Sequence, residues 1–382
     1  MNRSVFQPLL YGFIVIFTLV MIGVFSFIHV AGAAEANTFQ KGDVFAAVGD
    51  GKVRHFRPDG TIVATYDTGV PGGENAGMAF DEAGHLYLAH FDANQVFKFD
   101  TSGALLGSFG EEFDTHPESI VIDDAGNVYV GHADGDGDVL MFDRTGKLLK
   151  RFDLETERRG TDWIDLAADQ TTLFYTSEGH YVKRFDITSE KQLSDFNEDS
   201  LPGSTAYALR ILPNGEVIVA NTEVIVRLSK KGKLVKQYDA PGEDYWFAVN
   251  LDPDGKTFWS GNLGTGQVYQ FDIQSGEVIR SWNANVISSL GGLAVFGEIR
   301  VAQSFTVTTP RIPRWLPWLV LFLPLPFIAV WLWRRRQKPA QRSSVRPVPP
   351  KSPKSSPEFK PPQPPERASS TGATITHDRK RK

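Results

Sequence analysis

Residues 78–109 read MAFDEAGHLYLAHFDANQVFKFDTSGALLGSF, four short apolar runs at 78–81, 85–90, 95–100 and 104–109 joined by polar turns. Leu86 and Leu88 in the second run, and Val96, Phe97 and Phe99 in the third, supply the β-branched and aromatic content of half-buried pleated strands. The turn before the fourth run recurs along the chain at Gly60, Gly103, Gly146, Glu190, Gly232 and Gly276, at spacings of 43, 43, 44, 42 and 44. Units of that length, each four strands with no helical stretch, predict a β-propeller in which every blade buries its faces against its neighbours.

Most links within a unit are Asp-x-x-Gly, as at 81–84, 100–103, 123–126, 143–146 and 252–255. Aspartate at the first position caps the turn through its carboxylate, and glycine at the fourth adopts the positive φ needed to re-enter a strand. Dispersed around every unit, these aspartates read as structural and not as metal ligands. The first unit has strands near 44–48, 53–57 and 62–66 but lacks an innermost strand. Residues 292–296, Gly-Leu-Ala-Val-Phe, carry the pattern of the other innermost strands and would complete it, although 298–302 competes as a further strand of that blade. The expected fold is therefore all-β, a six-bladed β-propeller closed by strands from both ends of the domain, which removes an exposed sheet edge.

The run His116-Pro117-Glu118-Ser119-Ile120-Val121-Ile122-Asp123-Asp124-Ala125-Gly126-Asn127-Val128-Tyr129-Val130 resembles the NHL-repeat consensus, and 78–88 does so less completely. The resemblance covers about 260 residues. No His-Gly to Trp-Asp pairing of the WD type recurs. The likeness implies a binding platform or, by way of related six-bladed gluconolactonases and strictosidine synthase-like proteins, an enzyme; fold by itself leaves function open.

Sequence outside the propeller, expected at 37–310, places it at a membrane. Residues 9–30 form an apolar run preceded by Arg3 and followed by small-x-small sites at 31–36, so 1–36 reads as a cleaved export signal or an uncleaved anchor. Residues 315–333 are apolar, begin and end on tryptophan, and precede Arg334, Arg335, Arg336 and Lys338. As a helix this stretch would span about 28 Å, so 311–333 reads as a transmembrane segment with a short lead-in. Pro317, Pro324 and Pro326 would kink it. From 41 to 300 there are 23 Lys and Arg against 41 Asp and Glu, and from 334 to 382 there are 14 against 3. That split matches an exported acidic domain and a basic cytoplasmic tail, and an acidic propeller repels nucleic acid. The Pro-rich tail at 334–382 has the composition of a disordered segment, with docking of a cytoplasmic partner as its sharper reading. Cysteine is absent, which excludes disulfides and thiolate chemistry.

Chemistry is expected on the face built by loops that enter each innermost strand and loops that join second and third strands. The ligand-binding candidates there are Glu74, Asn75, His116, Glu118, Asp162, Trp163, Tyr207, Asp244 and Trp246, and the same face carries His90, His132, Glu178, His180 and Asn221. A ring of carboxylate and amide oxygens suits a divalent cation such as Ca²⁺, with Glu74, Asn75, Asp162 and Asp244 as candidate ligands. The Asp134-Gly135-Asp136-Gly137-Asp138 run starts like a calcium loop, but Thr145 stands where the bidentate glutamate belongs, so a hairpin loop is expected. His116 is the candidate general base. Two function classes follow. One is a binding or scaffolding ectodomain for a protein, peptide or glycan, favoured because no nucleophile with an adjacent base and no phosphate-cradling loop is present. The other is a metal-dependent hydrolase or lyase.

Overall fold

A computed structural model of the chain describes residues 38–300, apart from 112, 114, 287 and 288. Within them twenty-four strands form six four-stranded antiparallel sheets. Blades two to six occupy 75–109, 117–152, 163–193, 206–238 and 246–283. Blade one joins Val44–Val48, Lys52–Phe56 and Ile62–Asp67 to Leu290–Val295 from the far end of the domain. That last strand pairs Val44 with Val295 and Ala46 with Leu293, so the ring closes as the sequence predicts, with the closing strand beginning two residues earlier than expected. Each innermost strand packs against the next around the ring, and the sixth against the first.

Local chemistry explains the blades. The repeated turn takes the left-handed conformation in every unit: Gly60, Gly103, Gly146, Gly232 and Gly276 have φ between 71° and 90°, and Glu190 follows them at 54°. Asp100 and Asp143 cap their turns, accepting from the Ser102 and Thr145 amides at 2.8 Å. Buried aromatic residues, among them Tyr129, Tyr175, Phe258 and Trp259, fill six apolar clusters. The Gly291–Gly292 doublet lets blade one approach blade two, since a Cβ at 292 would lie 2.4 Å from the Ala76 carbonyl oxygen.

Innermost strands begin on one face of the ring, here called the upper face, and end on the lower one. After Val295 the chain crosses the lower face. No strand forms at 298–300, and 301–302 lies outside the described residues. Instead Glu298 accepts hydrogen bonds from Arg210 Nε at 3.1 Å, Asn250 Nδ2 at 3.0 Å and the Leu251 amide at 2.5 Å. Arg300 reaches the carbonyls of Phe80 and Ile122. This strap ties blades two, three, five and six together beneath a cavity of about 310 Å³ whose lining includes Met78, Ile120 and Ile164. Among the described residues no helix is long and apolar enough to cross a membrane. The leader at 1–36, the apolar segment at 311–333 and the tail lie outside the described residues.

Candidate functional site

Antiparallel pairing brings the start of each innermost strand against the end of the second strand on the upper face. Asn75 lies opposite His90, Pro117 opposite His132, Trp163 opposite Thr176, Ala206 opposite Asn221 and Trp246 opposite Asn262. The second-strand residues of these pairs are buried and staple loops in place. Asn221 Nδ2 donates to the Pro202 carbonyl at 2.5 Å, Thr176 Oγ1 to the Tyr207 carbonyl at 2.8 Å, and Asn262 Nδ2 to Glu243 at 2.8 Å. His90 Nδ1 accepts from the Ala93 amide at 3.2 Å and His132 Nδ1 lies 3.1 Å from the Asp138 carbonyl, so both histidines belong to the framework of the face.

Five innermost strands, those of blades one, two, three, five and six, have a register shift near this end. In blade three Pro117 pairs with His132 and Ser119 with Gly131, leaving Glu118 as the extra residue; in blade six Phe247 holds the same place. Bulges of this kind re-aim a side chain. Counting four residues back from Val295, Phe80, Ile122, Leu166, Ile211 and Leu251 gives Gly291, Ala76, Glu118, Asp162, Tyr207 and Phe247. Repeated blades put these six positions at one level around the axis. That level holds two small residues, then two neighbouring acids, then two neighbouring aromatics.

Both acids are buried, at 3% exposure for Glu118 and 0% for Asp162. Neither oxygen of Asp162 has a hydrogen-bond partner, nor does Oε2 of Glu118. Burial, which outweighs the favourable pull of Arg159, pushes the Glu118 carboxyl up to about 8. Asp162 is pushed well above its ordinary value, first by burial and then by the charges of Glu118 and Glu178. Glu74, half-buried and hydrogen-bonded to Ser289, is raised by burial as well.

An ion-pair rim surrounds the acids. Arg159, on the loop entering blade four, donates from Nη2 to Asp134 Oδ2 at 2.7 Å and from Nη1 to Glu178 Oε1 at 3.0 Å. His116 Nδ1 lies 2.6 Å from Asp134 Oδ2, and its ring stacks on Phe91 at 4.1 Å. The Arg159 guanidinium lies over the Phe91 ring, 5.4 Å from its centre. Arg159 and then His116 hold Asp134 down at about 2. The next residue, Gly160, must be glycine because a Cβ there would lie 2.1 Å from the His132 carbonyl oxygen. His116 and Glu178 adopt positive φ, 60° and 50°, a strained choice for non-glycine residues that clusters at working sites.

The aromatic side is continuous. Tyr207 and Phe247 pack at 4.9 Å, and Trp163 reaches Phe247 edge-on at 5.5 Å, from blade four to blade six. Burial raises the Tyr207 phenol, with Tyr245 adding to the effect.

Among the sequence candidates the fold brings together Glu74, His116, Glu118 and Asp162, and separately Trp163 and Tyr207. Asn75 is buried, its Nδ2 donating to the Lys52 carbonyl at 2.9 Å. Asp244 is exposed on the blade six loop and shifts none of the central acids. Trp246 is fully buried against Tyr269 and Phe271, its indole N–H donating to Asp239 at 3.3 Å, so it packs inside blade six away from the mouth. Among the described residues no group of three or more His, Asp or Glu side chains is disposed to hold a metal ion, and the quartet of Glu74, Asn75, Asp162 and Asp244 does not assemble as one. The 134–138 run is a hairpin loop with Gly135 and Gly137 at positive φ; Asp134 joins the rim and Asp138 pairs with Arg151. Arg159, Phe91 and Phe247 escaped the sequence reading. Arg158-Arg159 was the available signal, a basic pair on an otherwise acidic set of loops.

No protein family matches the sequence, and no curated protein matches it. Solved structures similar in fold include a protein of unknown function from Bacteroides caccae, with TM-score 0.54 and 18% identity over 68% of this chain and 100% of that one. Another is a chain of a nidogen/laminin complex, with TM-score 0.55 and 13% identity over 66% of this chain and 98% of that one. A virginiamycin B lyase from Staphylococcus aureus aligns with TM-score 0.48 and 14% identity over 64% and 86%. At these identities the likeness establishes the propeller fold alone.

Proposed function

We propose that this protein is an exported, membrane-anchored propeller of the NHL type that binds a ligand at its upper mouth, either a small molecule or a protruding group of a protein, peptide or glycan. The observation that carries the reading is Asp162, a carboxylate with no exposure and no partner for either oxygen. A buried acceptor left open costs stability, on the order of 1–3 kcal/mol, and is retained where a ligand supplies the missing donors. The ion-pair rim adds shape, fixing His116, Asp134, Arg159 and Glu178 in one hydrogen-bonded network. Anchoring rests on the apolar runs at 9–30 and 315–333 and the basic cluster after them. With the tail cytoplasmic, its Pro-rich runs are the surface for an inner partner. The acidic charge of the propeller argues against a nucleic-acid ligand.

Thermal-shift screening of the full chain in detergent tests the reading. A mouth ligand at a hundredfold excess over its Kd raises the apparent Tm by about 5 °C or more, and Asp162→Asn removes that rise. A ligand whose shift survives Asp162→Asn binds elsewhere and removes the support for this site.

One observation favours a second reading. His116 is held by Asp134 at 2.6 Å through Nδ1, which leaves Nε2 as the nitrogen for proton transfer, and Glu118, two residues on, has its carboxyl pushed up to about 8 by burial. That pairing suits a hydrolase or lyase of small carbonyl substrates. Lactone turnover by the full chain, lost in His116→Ala and retained in Asp244→Asn, would establish it; metal dependence of that turnover would restore Ca²⁺ or a similar ion as cofactor.

A further inference from the structure

We infer that the group seated at the upper mouth is an organic cation, a primary ammonium or guanidinium of the ligand, held by Asp162 and Glu118 and walled by Tyr207, Phe247 and Trp163. This rests on the binding function proposed above and names its ligand chemistry.

Three independent features lead there. The first is unfilled acceptor capacity. Three buried carboxylate oxygens on adjacent blades lack donors, and an ammonium supplies three and a guanidinium five. The second is charge. Glu74, Glu118, Asp134, Asp162 and Glu178 act on one another at the mouth against Arg159, which is already paired with Asp134 and Glu178; His116 pairs with the same Asp134. The framework histidines His90 and His132 lie behind, and burial keeps His90 neutral-leaning. A positive ligand completes this balance and a negative one worsens it. The third is the wall. Aromatic faces beside a carboxylate pair attract a cation that has been stripped of water. The small residues Gly291 and Ala76 occupy the rest of that level. A bare metal ion is the poorer fit, because no three acidic or histidine groups of the described residues are disposed around one point.

The chemistry of binding follows. Without ligand, burial, which pushes the Glu118 carboxyl up to about 8, keeps a proton on it at neutral pH. Arrival of the cation turns carboxyl into carboxylate, and the displaced proton passes to solvent, so binding and proton release are coupled. Below the raised value of Glu118, affinity falls as pH falls, up to about tenfold per unit for each proton displaced.

The test uses the full chain in detergent micelles and four probes, spermidine, trilysine, Ca²⁺ and, as the uncharged comparator, N-acetylglucosamine, followed by calorimetry at two pH values in two buffers of different ionisation heat. Expected are saturable one-to-one binding of an amine probe, release of about one proton, tighter binding at pH 8 than at pH 6.5, and a loss of tenfold or more in Asp162→Asn and in Glu118→Gln. Asp244→Asn, on the exposed loop, controls for the general attraction of cations to an acidic surface and leaves amine binding unchanged. Absence of saturable amine binding, or amine binding equal in wild type and Asp162→Asn, overturns the inference. Should N-acetylglucosamine or Ca²⁺ alone bind and be lost in Asp162→Asn, the cationic assignment falls while the binding function stands. If no probe binds and the screen described above finds no Asp162-dependent ligand, both fall.

Discussion

At the lower mouth of the channel Arg210 meets Glu298, Glu298 also accepts from Asn250 and the Leu251 amide, and Asp165 accepts from the Ile211 and Leu166 amides at 2.8 and 2.9 Å. At the upper mouth Asp162 accepts from nothing and Glu118 leaves Oε2 open. Both ends collect acids and arginine from neighbouring blades, Arg210 and Arg300 below and Arg159 above. The difference is that the lower set is internally complete, whereas the upper set has its arginine drawn out to the rim by Asp134 and Glu178. An end whose polar groups satisfy one another stabilises the ring; an end whose groups do not is a place for something else to bind.

The contrast can be broken most sharply at the bottom. Glu298→Ala leaves Arg210 without its anion and strands the Leu251 amide, so we expect a loss of about 3 kcal/mol or more in urea unfolding. A loss under 1 kcal/mol would mean that the strap is ornamental. Next comes pH. Glu118, raised from 4.5 to about 8 by burial, stabilises the fold fully below its unfolded value, and that contribution disappears as pH rises through the folded value. Stability should therefore decline between pH 5 and 8 by on the order of a few kcal/mol, and the decline should flatten in Glu118→Gln. Unchanged slopes in the variant would assign the pH dependence to other groups.

Asp162→Asn is the mirror image of the strap variant. Removing a buried ionisable group without a partner raises unfolding stability at pH 8 by about 1–3 kcal/mol while ligand binding is lost. A destabilised variant would show that Asp162 has a structural partner. The smallest effect belongs to the rim. Asp134 is substantially exposed, so Arg159→Ala should cost about 1 kcal/mol or less, with the Asp134 carboxyl returning from about 2 toward 3.8 in an NMR titration. In wild type that carboxylate's contribution is present above its unfolded value and disappears as pH falls through the folded one.

Much of this was legible in the chain. Turn chemistry at Gly60, Gly103 and Gly146 set the period, and the incomplete first unit together with residues 292–296 gave the closure. Strand ends at 90, 99 and 109 matched expectation within a residue. Glu74, His116, Glu118 and Asp162 were recognisable because the loops entering innermost strands converge on one face in any propeller. Bulges were not legible: nothing in Pro117-Glu118-Ser119 announces that Glu118 is the unpaired residue. Nor was the partnership of Arg159 with Asp134, which are 25 positions apart and belong to different blades. Trp246, a ligand candidate for its place at the start of an innermost strand, packs inside the blade with its indole N–H on Asp239, which no local pattern announces.

Periodicity and turn preference are local properties, written in neighbouring residues, so the sequence alone determined the number of blades, the turns and the latch between the two ends of the domain. Which acids find a partner depends on side chains that meet only when separate blades converge, and on how much water that convergence removes. Tertiary structure decided it, completing the charges around Arg210 and leaving those around Asp162 open.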